Sequence, residues 1–260
     1  MNIMTYNRER LDAESVAQHS ISSSLGPLVT LIGQAVSLYE RAARAIADHP
    51  RPGAAPKVGL ILTARLSNDL LVCEISAQLG YGIQALSLGA TVVELVGALS
   101  YVGESDQRAE EWARHSNQKR TYPRKVSEGI EAAAATLGMS SQHNMKENWQ
   151  QAYTFMCTAK HANPRISLLN GLRIGPDGFY HSYGPDASAF GTWMSAEAMY
   201  YAIGFGMSGI FVALVHCSDQ ALQAQLRAEA LRVLQARYVL ESWLGEWRKA
   251  AEHESAHGVV

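Results

Sequence analysis

The chain has 260 residues, of which 47% are hydrophobic and 18% charged, so its composition excludes a disordered polymer and allows a substantial buried core. Its 22 basic and 24 acidic residues leave a formal net charge of −2, which excludes a general electrostatic attraction to nucleic acid or to anionic membranes. Alanine and leucine outweigh the β-branched residues, and this balance favours helices.

The predicted elements are helices along almost the whole chain. Gly26 and Pro27 predict the start of a first amphipathic helix that runs to about residue 48, and the proline-rich stretch 49–56 is a linker. The run from Gly80 to Gly82 separates two long helices and predicts an antiparallel hairpin. The predicted helices after the linker cover residues 56–80, 82–103, 105–116, 123–138, 142–160, 187–216 and 218–253.

Residues 172–184 are the one segment that predicts strands, because Pro-Asp-Gly stands there between two short alternating runs and favours a turn. The predicted fold class is therefore all-α, a multi-helix bundle with a small β-hairpin inserted near residues 172–184. We expect residues 1–50 to form an N-terminal helical segment, residues 56–253 a single bundle domain and residues 254–260 a tail.

A cytoplasmic location is expected. The first residues lack the apolar core of a signal peptide, and Cys73, Cys157 and Cys217 lie far apart in apolar contexts that suit reduced thiols. Residues 199–215 carry no charge but are short for a membrane span and include glycines. With no second candidate span beside it, this stretch predicts a buried central helix, and no membrane partner is expected.

Four ionisable residues interrupt otherwise apolar helices, and they are the main clue to a site: Arg65, Asp69, Glu94 and His161. A charge removed from water is costly unless a partner neutralises it, so such residues pair with each other or belong to a site. Arg65 and Asp69 lie on one face of their helix. If the predicted hairpin turns this face toward the next helix, Arg65 would also bridge to Glu94. The cluster is then either a buried ion-pair network or a polar pocket completed by His161 and Tyr153.

Residues 65–112 and the later run FMCTAKHANP resemble a bacterial all-helical family classed as a domain of unknown function. That family is similar in outline to the HEPN superfamily of helical ribonucleases and nucleotide-binding proteins. The resemblance implies a bundle that acts on or binds RNA or another phosphate-bearing ligand, as a defence or stress effector. The chain departs from the pattern at residues 89–91, where relatives often carry an arginine before the glutamate. The matching positions are Gly80, Gly82, Ala85, Glu94, His161 and Pro164.

HEPN ribonucleases resemble one another in a short motif, an arginine followed several residues later by a histidine. In this motif the arginine binds phosphate and the histidine assists attack by the 2′-hydroxyl. Two literal matches, Arg44 with His49 and Arg248 with His253, fall near predicted helix ends and are explained by composition. The block of residues 161–165 is the better candidate, because it combines a histidine, an amide and an arginine beside a turn.

The predicted site assigns acid–base chemistry to His161, phosphate contact to Arg165, and support to Glu94 with Arg65. A structural alternative for His161 stays open, because a histidine at a helix C-terminus is also stabilised by the helix dipole. The residues expected to contact the ligand are Arg65, Asp69, Tyr153, Lys160 and Asn163.

Two further functions stay open: a non-enzymatic binding or scaffold protein, and a metal-dependent hydrolase if Glu74 or Glu94 converges with Asp69 and His161. The tail from His253 to His257 has the spacing of zinc ligands but no third ligand after it, so no metal site is predicted. No cofactor is expected, because the glycines of GFGMSG follow no strand. The expected partners are an RNA or phosphate-bearing ligand and a second copy of the chain, bound through the amphipathic last helix.

Overall fold

In the computed structural model of this chain, helices account for nearly all of the residues that the structure describes, which are 3–48, 53–115, 126–136, 143–161, 172–175, 178–181 and 185–256. This part of the chain is an all-α bundle, as the composition predicted. The helices are α1 (Ile3–Ser24), α2 (Gly26–Ala47), α3 (Ala54–Gln78), α4 (Gly82–Val102), α5 (Asp106–Ala113), α6 (Val126–Thr136), α7 (His143–Lys160), α8 (Ala189–Ala213), α9 (Gln220–Val239) and α10 (Glu241–Ala256).

The centre of the bundle is α8, which packs against α2, α3, α4, α9 and α10. Almost every side chain of α8 is buried, so the helix has no polar face, as expected for a segment surrounded on all sides. Glycines of α8 leave room for side chains of the neighbouring helices. Tyr39 of α2, for example, is buried, and its hydroxyl donates a hydrogen bond to the Gly206 carbonyl at 2.5 Å. The prediction of a buried central helix in this region is confirmed.

The predicted hairpin between α3 and α4 is confirmed. Gly80 has a backbone angle φ of 84°, in the left-handed region that other residues reach only with strain. A glycine in this conformation is a common way for a helix to end, and here it ends α3. The Tyr81 amide donates to the Ser76 carbonyl at 2.8 Å and closes the turn. The two helices then run antiparallel and pack along their lengths.

The N-terminal region contains one helix more than the sequence predicted. Pro27 lies in the first turn of α2, as expected, but α1 precedes it and bends away by 89°. The Tyr81 hydroxyl donates to Glu14 at 2.6 Å and ties α1 to the α3–α4 turn. The buried face of α2, which includes Leu28 and Ile32, belongs to the same core as α8.

The C-terminal region also differs from the prediction. The expected single helix over residues 218–253 is two helices, because the chain breaks at Leu240 between α9 and α10. Before α8, two short strands, β1 (Leu172–Gly175) and β2 (Gly178–His181), pair antiparallel. The turn between these strands and residues 182–184 lie outside the described residues, so the inserted hairpin over residues 172–184 stays a prediction.

Two described helices are long and apolar enough to cross a membrane by length and composition, Gly82–Val102 and Ala189–His216. The bent pair α1–α2 would supply a third if it counted as one span. The prediction that residues 199–215 have no second candidate span beside them is wrong, because Gly82–Val102 also passes this test. In the bundle, 89% of the tested window in α8 and 61% of that in α4 are buried by other parts of the chain.

Candidate functional site

The Arg65–Asp69 pair forms on α3, one helical turn apart. The Arg65 Nε lies 3.1 Å from Oδ1 and 3.2 Å from Oδ2 of Asp69. The Arg65 side chain is 60% exposed, so solvent screens the pair and its contribution to stability is small, on the order of 0.5 kcal/mol. The predicted bridge from Arg65 to Glu94 is not formed within the described residues, because each of these charges has a different partner.

Glu94 instead joins α4 to α7. Its Oε2 accepts a hydrogen bond from Lys160 Nζ at 2.6 Å, and its Oε1 accepts one from the Tyr153 hydroxyl at 3.0 Å. Three of the predicted site residues therefore meet. Burial raises the pKa of Tyr153, and a hydrogen bond with Cys157 and the Glu94 charge raise it further, so the phenol remains protonated as a donor. Among the described contacts, the negative charge of Glu94 is paired with Lys160. This arrangement is typical of a residue that joins two helices.

His161 is not part of this link. It follows the last residue of α7, its side chain is exposed, and its backbone amide donates to the Cys157 carbonyl at 3.0 Å. In the described part of the chain no hydrogen bond or ion pair within 4.0 Å joins His161 to Glu94. Asn163 and Arg165, the other members of the predicted block, lie outside the described residues. The predicted acid–base centre is therefore not assembled by the contacts that are described.

A more deeply buried carboxylate lies on α8. Glu197 is inaccessible to solvent, and its Oε1 accepts hydrogen bonds from Trp193 Nε1 at 2.9 Å and Arg248 Nη2 at 2.8 Å. Its Oε2 is buried with no hydrogen-bond partner among the described residues. Glu197 was not among the residues predicted from the sequence, although it is the one acidic residue in the apolar segment 189–213, the same signal that singled out Glu94.

Arg248 supplies the counter-charge from α10. Its hydrogen bond to Glu197 raises the pKa of the guanidinium, which outweighs the lowering effect of partial burial. The guanidinium carbon also lies 5.7 Å from the ring centroid of Trp193, within cation–π range. Arg248 thus contacts both the buried carboxylate and an aromatic wall.

Arg237 on α9 is a second cation, and its surroundings differ. Its Nε donates to the Tyr200 carbonyl at 2.6 Å, and its guanidinium carbon lies 3.6 Å from the Tyr200 ring centroid. Burial lowers its pKa, as expected for a cation partly removed from water. Within the described residues no carboxylate forms an ion pair with Arg237 within 4.0 Å, but the charges of Glu241 and Glu197 act on it from a longer distance and raise its pKa.

The close approach of Arg237 to α8 depends on Gly204. A Cβ at residue 204 would lie 2.8 Å from the Arg237 Cζ, closer than packed atoms come. The missing side chain therefore makes the recess into which the guanidinium fits.

The two arginines line a cavity of about 560 Å³ between α7, α8, α9 and α10. Seven of its sixteen lining residues are aromatic, and the ring centroids of Trp149 and Phe205 lie 4.8 Å apart in an edge-to-face contact. Glu241 also lines the cavity. A concave recess that combines aromatic side chains with a few charged groups is a common form of small-molecule site. The other aromatic residues that line it include Phe155, Trp193, Tyr200 and Tyr201.

Metal ligands do not converge in the described part of the chain, where no group of three histidine, cysteine, aspartate or glutamate side chains could hold a metal ion. Asp69 is paired with Arg65 and Glu94 with Lys160, so the carboxylates that a hydrolase would need lie in separate contacts. His257 of the tail motif lies outside the described residues.

Comparison with protein-family models, with curated proteins and with solved structures finds no match. The cavity and its charges are therefore interpreted from their own geometry.

Proposed function

We propose that this protein binds phosphate-bearing ligands, with a nucleotide or the end of an RNA chain as the ligand class, in the cavity between α7, α8, α9 and α10. The observation that carries the proposal is Arg237, a partly buried guanidinium on the cavity wall that has no carboxylate within 4.0 Å in the described part of the chain. A cation withdrawn from water without an ion-pair partner in contact is costly, and a bound anion would lower that cost.

The aromatic walls support the nucleotide class over a simple anion. Bases stack on aromatic side chains, and each such contact typically contributes about 1–3 kcal/mol. Trp149 and Trp193 line the same cavity as Arg237, so a ring and a phosphate on one molecule would each find a suitable contact. The cavity volume of about 560 Å³ is within the range for small ligands.

Arg248 has a different part in the proposal. Because its Nη2 already binds the buried Glu197, it is oriented by that contact. It would then act as a preorganised edge of the phosphate site, whereas Arg237 would supply a charge that has no ion-pair partner within 4.0 Å among the described residues. Preorganised groups lose less conformational entropy on binding.

The proposal is tested by titrating the protein with 5′-AMP, adenosine and inorganic phosphate while following tryptophan fluorescence and binding heat. We expect 5′-AMP to bind more tightly than either fragment. Arg237→Gln is expected to weaken 5′-AMP about 10–100-fold, the usual cost of a lost charge-assisted hydrogen bond. Lys249→Gln is the matched control, because Lys249 lies on the same helix as Arg248 but pairs with the exposed Glu246.

The binding proposal is wrong if none of the three compounds binds at millimolar concentration, or if Lys249→Gln and Arg237→Gln weaken binding equally. Weaker binding that is confined to Arg237→Gln and Arg248→Gln would locate the ligand in the cavity.

A nuclease activity is a separate proposal. It rests on His161, which Asn163 and Arg165 follow closely in the sequence, and on the resemblance of the sequence to HEPN proteins. It is supported by the all-helical bundle and by the exposed position of the imidazole, which leaves it accessible to RNA. Incubating the protein and its His161→Ala variant with total RNA tests it. Intact RNA in both samples would remove catalysis while leaving the cavity proposal untouched.

A scaffold function for the predicted charge cluster is favoured by one observation. Tyr153 and Lys160 of α7 each donate a hydrogen bond to Glu94 of α4. We therefore propose that this cluster sets the packing of α7, and that the ligand binds in the cavity.

A cytoplasmic location is kept as part of the proposal, supported by three free cysteines and by the burial of α8.

A further inference from the structure

Glu241 brings a negative charge to the cavity in which we place the phosphate-bearing ligand. It is the first residue of α10 and lines the cavity wall. Its charge acts on Arg237, yet in the described part of the chain no hydrogen bond or ion pair engages its carboxylate. Like charges repel, so this carboxylate weakens phosphate binding unless it contacts another part of the same ligand.

Gly245 lies one turn further along α10 and lines the same cavity. A glycine inside a helix is less stable than an alanine, so its presence calls for a reason. On α8 the reason is packing, because a Cβ at Gly204 or Gly206 would be crowded by Arg237 or Leu70. A Cβ at Gly245 would meet nothing within 4 Å. The bare backbone there leaves space on the cavity wall that a ligand can occupy.

Three cavity-lining residues of α10 follow one another on a single helix face. Glu241, Gly245 and Arg248 are separated by steps of four and three residues, which places them one above the other. Over about 10 Å of helix, at 1.5 Å per residue, the wall therefore offers a carboxylate, bare backbone and a guanidinium. A ribose 5′-phosphate has groups that match in the same order: two hydroxyl groups, a sugar ring and a phosphate.

We propose that Glu241 binds the 2′- and 3′-hydroxyl groups of a ribose whose ring lies against Gly245 and whose 5′-phosphate faces Arg248. A carboxylate only accepts hydrogen bonds, and each of its oxygens can accept one from a hydroxyl of the sugar. Carboxylates bind ribose hydroxyls in this way in dinucleotide sites.

This inference rests on the proposed function and narrows its ligand class. The ligand carries a 5′-phosphorylated ribose with both hydroxyl groups free, which occurs in a ribonucleotide and at the 3′ end of an RNA chain. The 2′-hydroxyl is the group that distinguishes ribose from deoxyribose, so Glu241 is the residue that determines this specificity.

The unchanged chain gives the first test, by calorimetric titration with 5′-AMP and its 2′-deoxy and 2′,3′-dideoxy analogues. We expect affinity to fall with each hydroxyl removed. The dideoxy compound should bind about 10–100-fold more weakly than 5′-AMP, because hydrogen bonds to a charged group are lost. The dinucleotide ApA, whose second residue has the same sugar beside a phosphodiester, separates the two sources: tighter binding of ApA than of 5′-AMP assigns the end of an RNA chain.

Glu241→Ala tests the assignment of the carboxylate. The variant should bind 5′-AMP and the dideoxy compound equally, because nothing is left to read the hydroxyl groups. A carboxylate in the first turn of α10 also stabilises the helix dipole, but loss of that effect would weaken both compounds alike. Glu246→Ala is the matched control, because Glu246 lies on the same helix, pairs with Lys249 and does not line the cavity.

Gly245→Leu tests the position of the sugar. The added side chain would fill the space on the wall, so 5′-AMP should bind about tenfold more weakly, whereas inorganic phosphate, which has no sugar, should bind as before. Gly33→Leu is the control at an open position on α2, outside this cavity. Circular dichroism checks that both variants fold.

Any of three results would overturn this inference: equal binding of 5′-AMP and the dideoxy compound, an equal loss of both in Glu241→Ala, or unchanged 5′-AMP affinity in Gly245→Leu. Each can occur while 5′-AMP binding still depends on Arg237, and the binding proposal would then stand without the ribose contact. Absence of 5′-AMP binding to the unchanged chain would reject both.

Discussion

The guanidinium of Arg237 lies over the ring of Tyr200, with 3.6 Å between its Cζ and the ring centroid. The same residue donates from its Nε to the Tyr200 carbonyl, so one side chain is held by both the ring and the backbone of a single α8 residue. These two contacts orient the cation, while the charges of Glu241 and Glu197 act on it without forming an ion pair within 4.0 Å in the described part of the chain. Under the proposed function, this positioned charge would bind an anion.

Gly204→Ala tests whether the recess beneath Arg237 is required. The added Cβ would lie 2.8 Å from the Arg237 Cζ, so the guanidinium must move. We expect 5′-AMP affinity to fall roughly tenfold, because one charge-assisted hydrogen bond is misplaced. Isothermal titration calorimetry measures the change.

The matched control is Gly33→Ala on α2, where a Cβ would meet nothing within 4 Å. At such a helical position the exchange should raise the free energy of unfolding by about 0.5–1 kcal/mol and leave ligand affinity unchanged. Unchanged affinity in both variants would show that the position of Arg237 does not matter for binding.

Glu197→Gln should destabilise the bundle. The glutamine amide oxygen can still accept a hydrogen bond from Trp193, but Arg248 loses the negative charge with which it pairs. The buried carboxylate, which only accepts hydrogen bonds, also becomes an amide with a donor group. Because half of the Arg248 side chain is in solvent, we expect a loss of about 1–3 kcal/mol, less than for a fully buried pair. Urea denaturation measures it, with Glu246→Gln as the exposed control expected to change little.

Glu94→Gln distinguishes a structural link from a catalytic group. Removing the charge leaves Lys160 unpaired, and the partly exposed pair should contribute about 1–2 kcal/mol to the free energy of unfolding. A double-mutant cycle with Lys160→Met should recover most of that loss as coupling between the two residues. Unchanged stability, together with loss of an RNA-cleaving activity, would instead assign Glu94 to catalysis.

The contact between Arg41 and Glu229 predicts a pH dependence of stability. Hydrogen bonds from Arg41 hold the pKa of Glu229 below its ordinary value, so the folded chain binds this proton less readily than the unfolded chain. The stabilisation is complete above the ordinary pKa of about 4.5 and is lost as the pH falls through the lowered value.

Urea denaturation of the unchanged chain and of Arg41→Gln, measured between pH 7 and pH 3, tests this dependence. We expect Arg41→Gln to be the less stable protein near pH 7, with the difference shrinking as the pH falls through the acid range. A difference that stayed constant over the whole range would contradict the lowered pKa of Glu229.

Most helices were predictable because their signals are local. Pro27 marks the start of α2, Ser105 accepts a hydrogen bond at the start of α5, and Gly80 ends α3. The break at Leu240 between α9 and α10 was not predictable, since neither glycine nor proline stands there. Helix α1 was also missed, because its weak amphipathic pattern is stabilised by contacts such as that of Glu14 with Tyr81.

The candidate site was less accessible to sequence reasoning. An ionisable residue in an apolar helix signals that a partner exists, and this held for Glu94 and also for Glu197, which was overlooked. Which partner it has could not be read from spacing. Lys160 is 66 residues from Glu94, and Arg248 is 51 residues from Glu197.

The amino-acid sequence by itself determined that this chain forms helices and that a nearly uncharged one lies at their centre, because propensity and the distribution of apolar residues act over neighbouring positions. Only the tertiary structure decided that Arg65 pairs along its own helix, that Glu94 faces α7, and that Arg237 lines a cavity beside Tyr200. Hydrogen bonds require placement to within a few tenths of an ångström, and that depends on how packed helices are rotated and offset against one another. Periodicity along the chain does not specify those rotations.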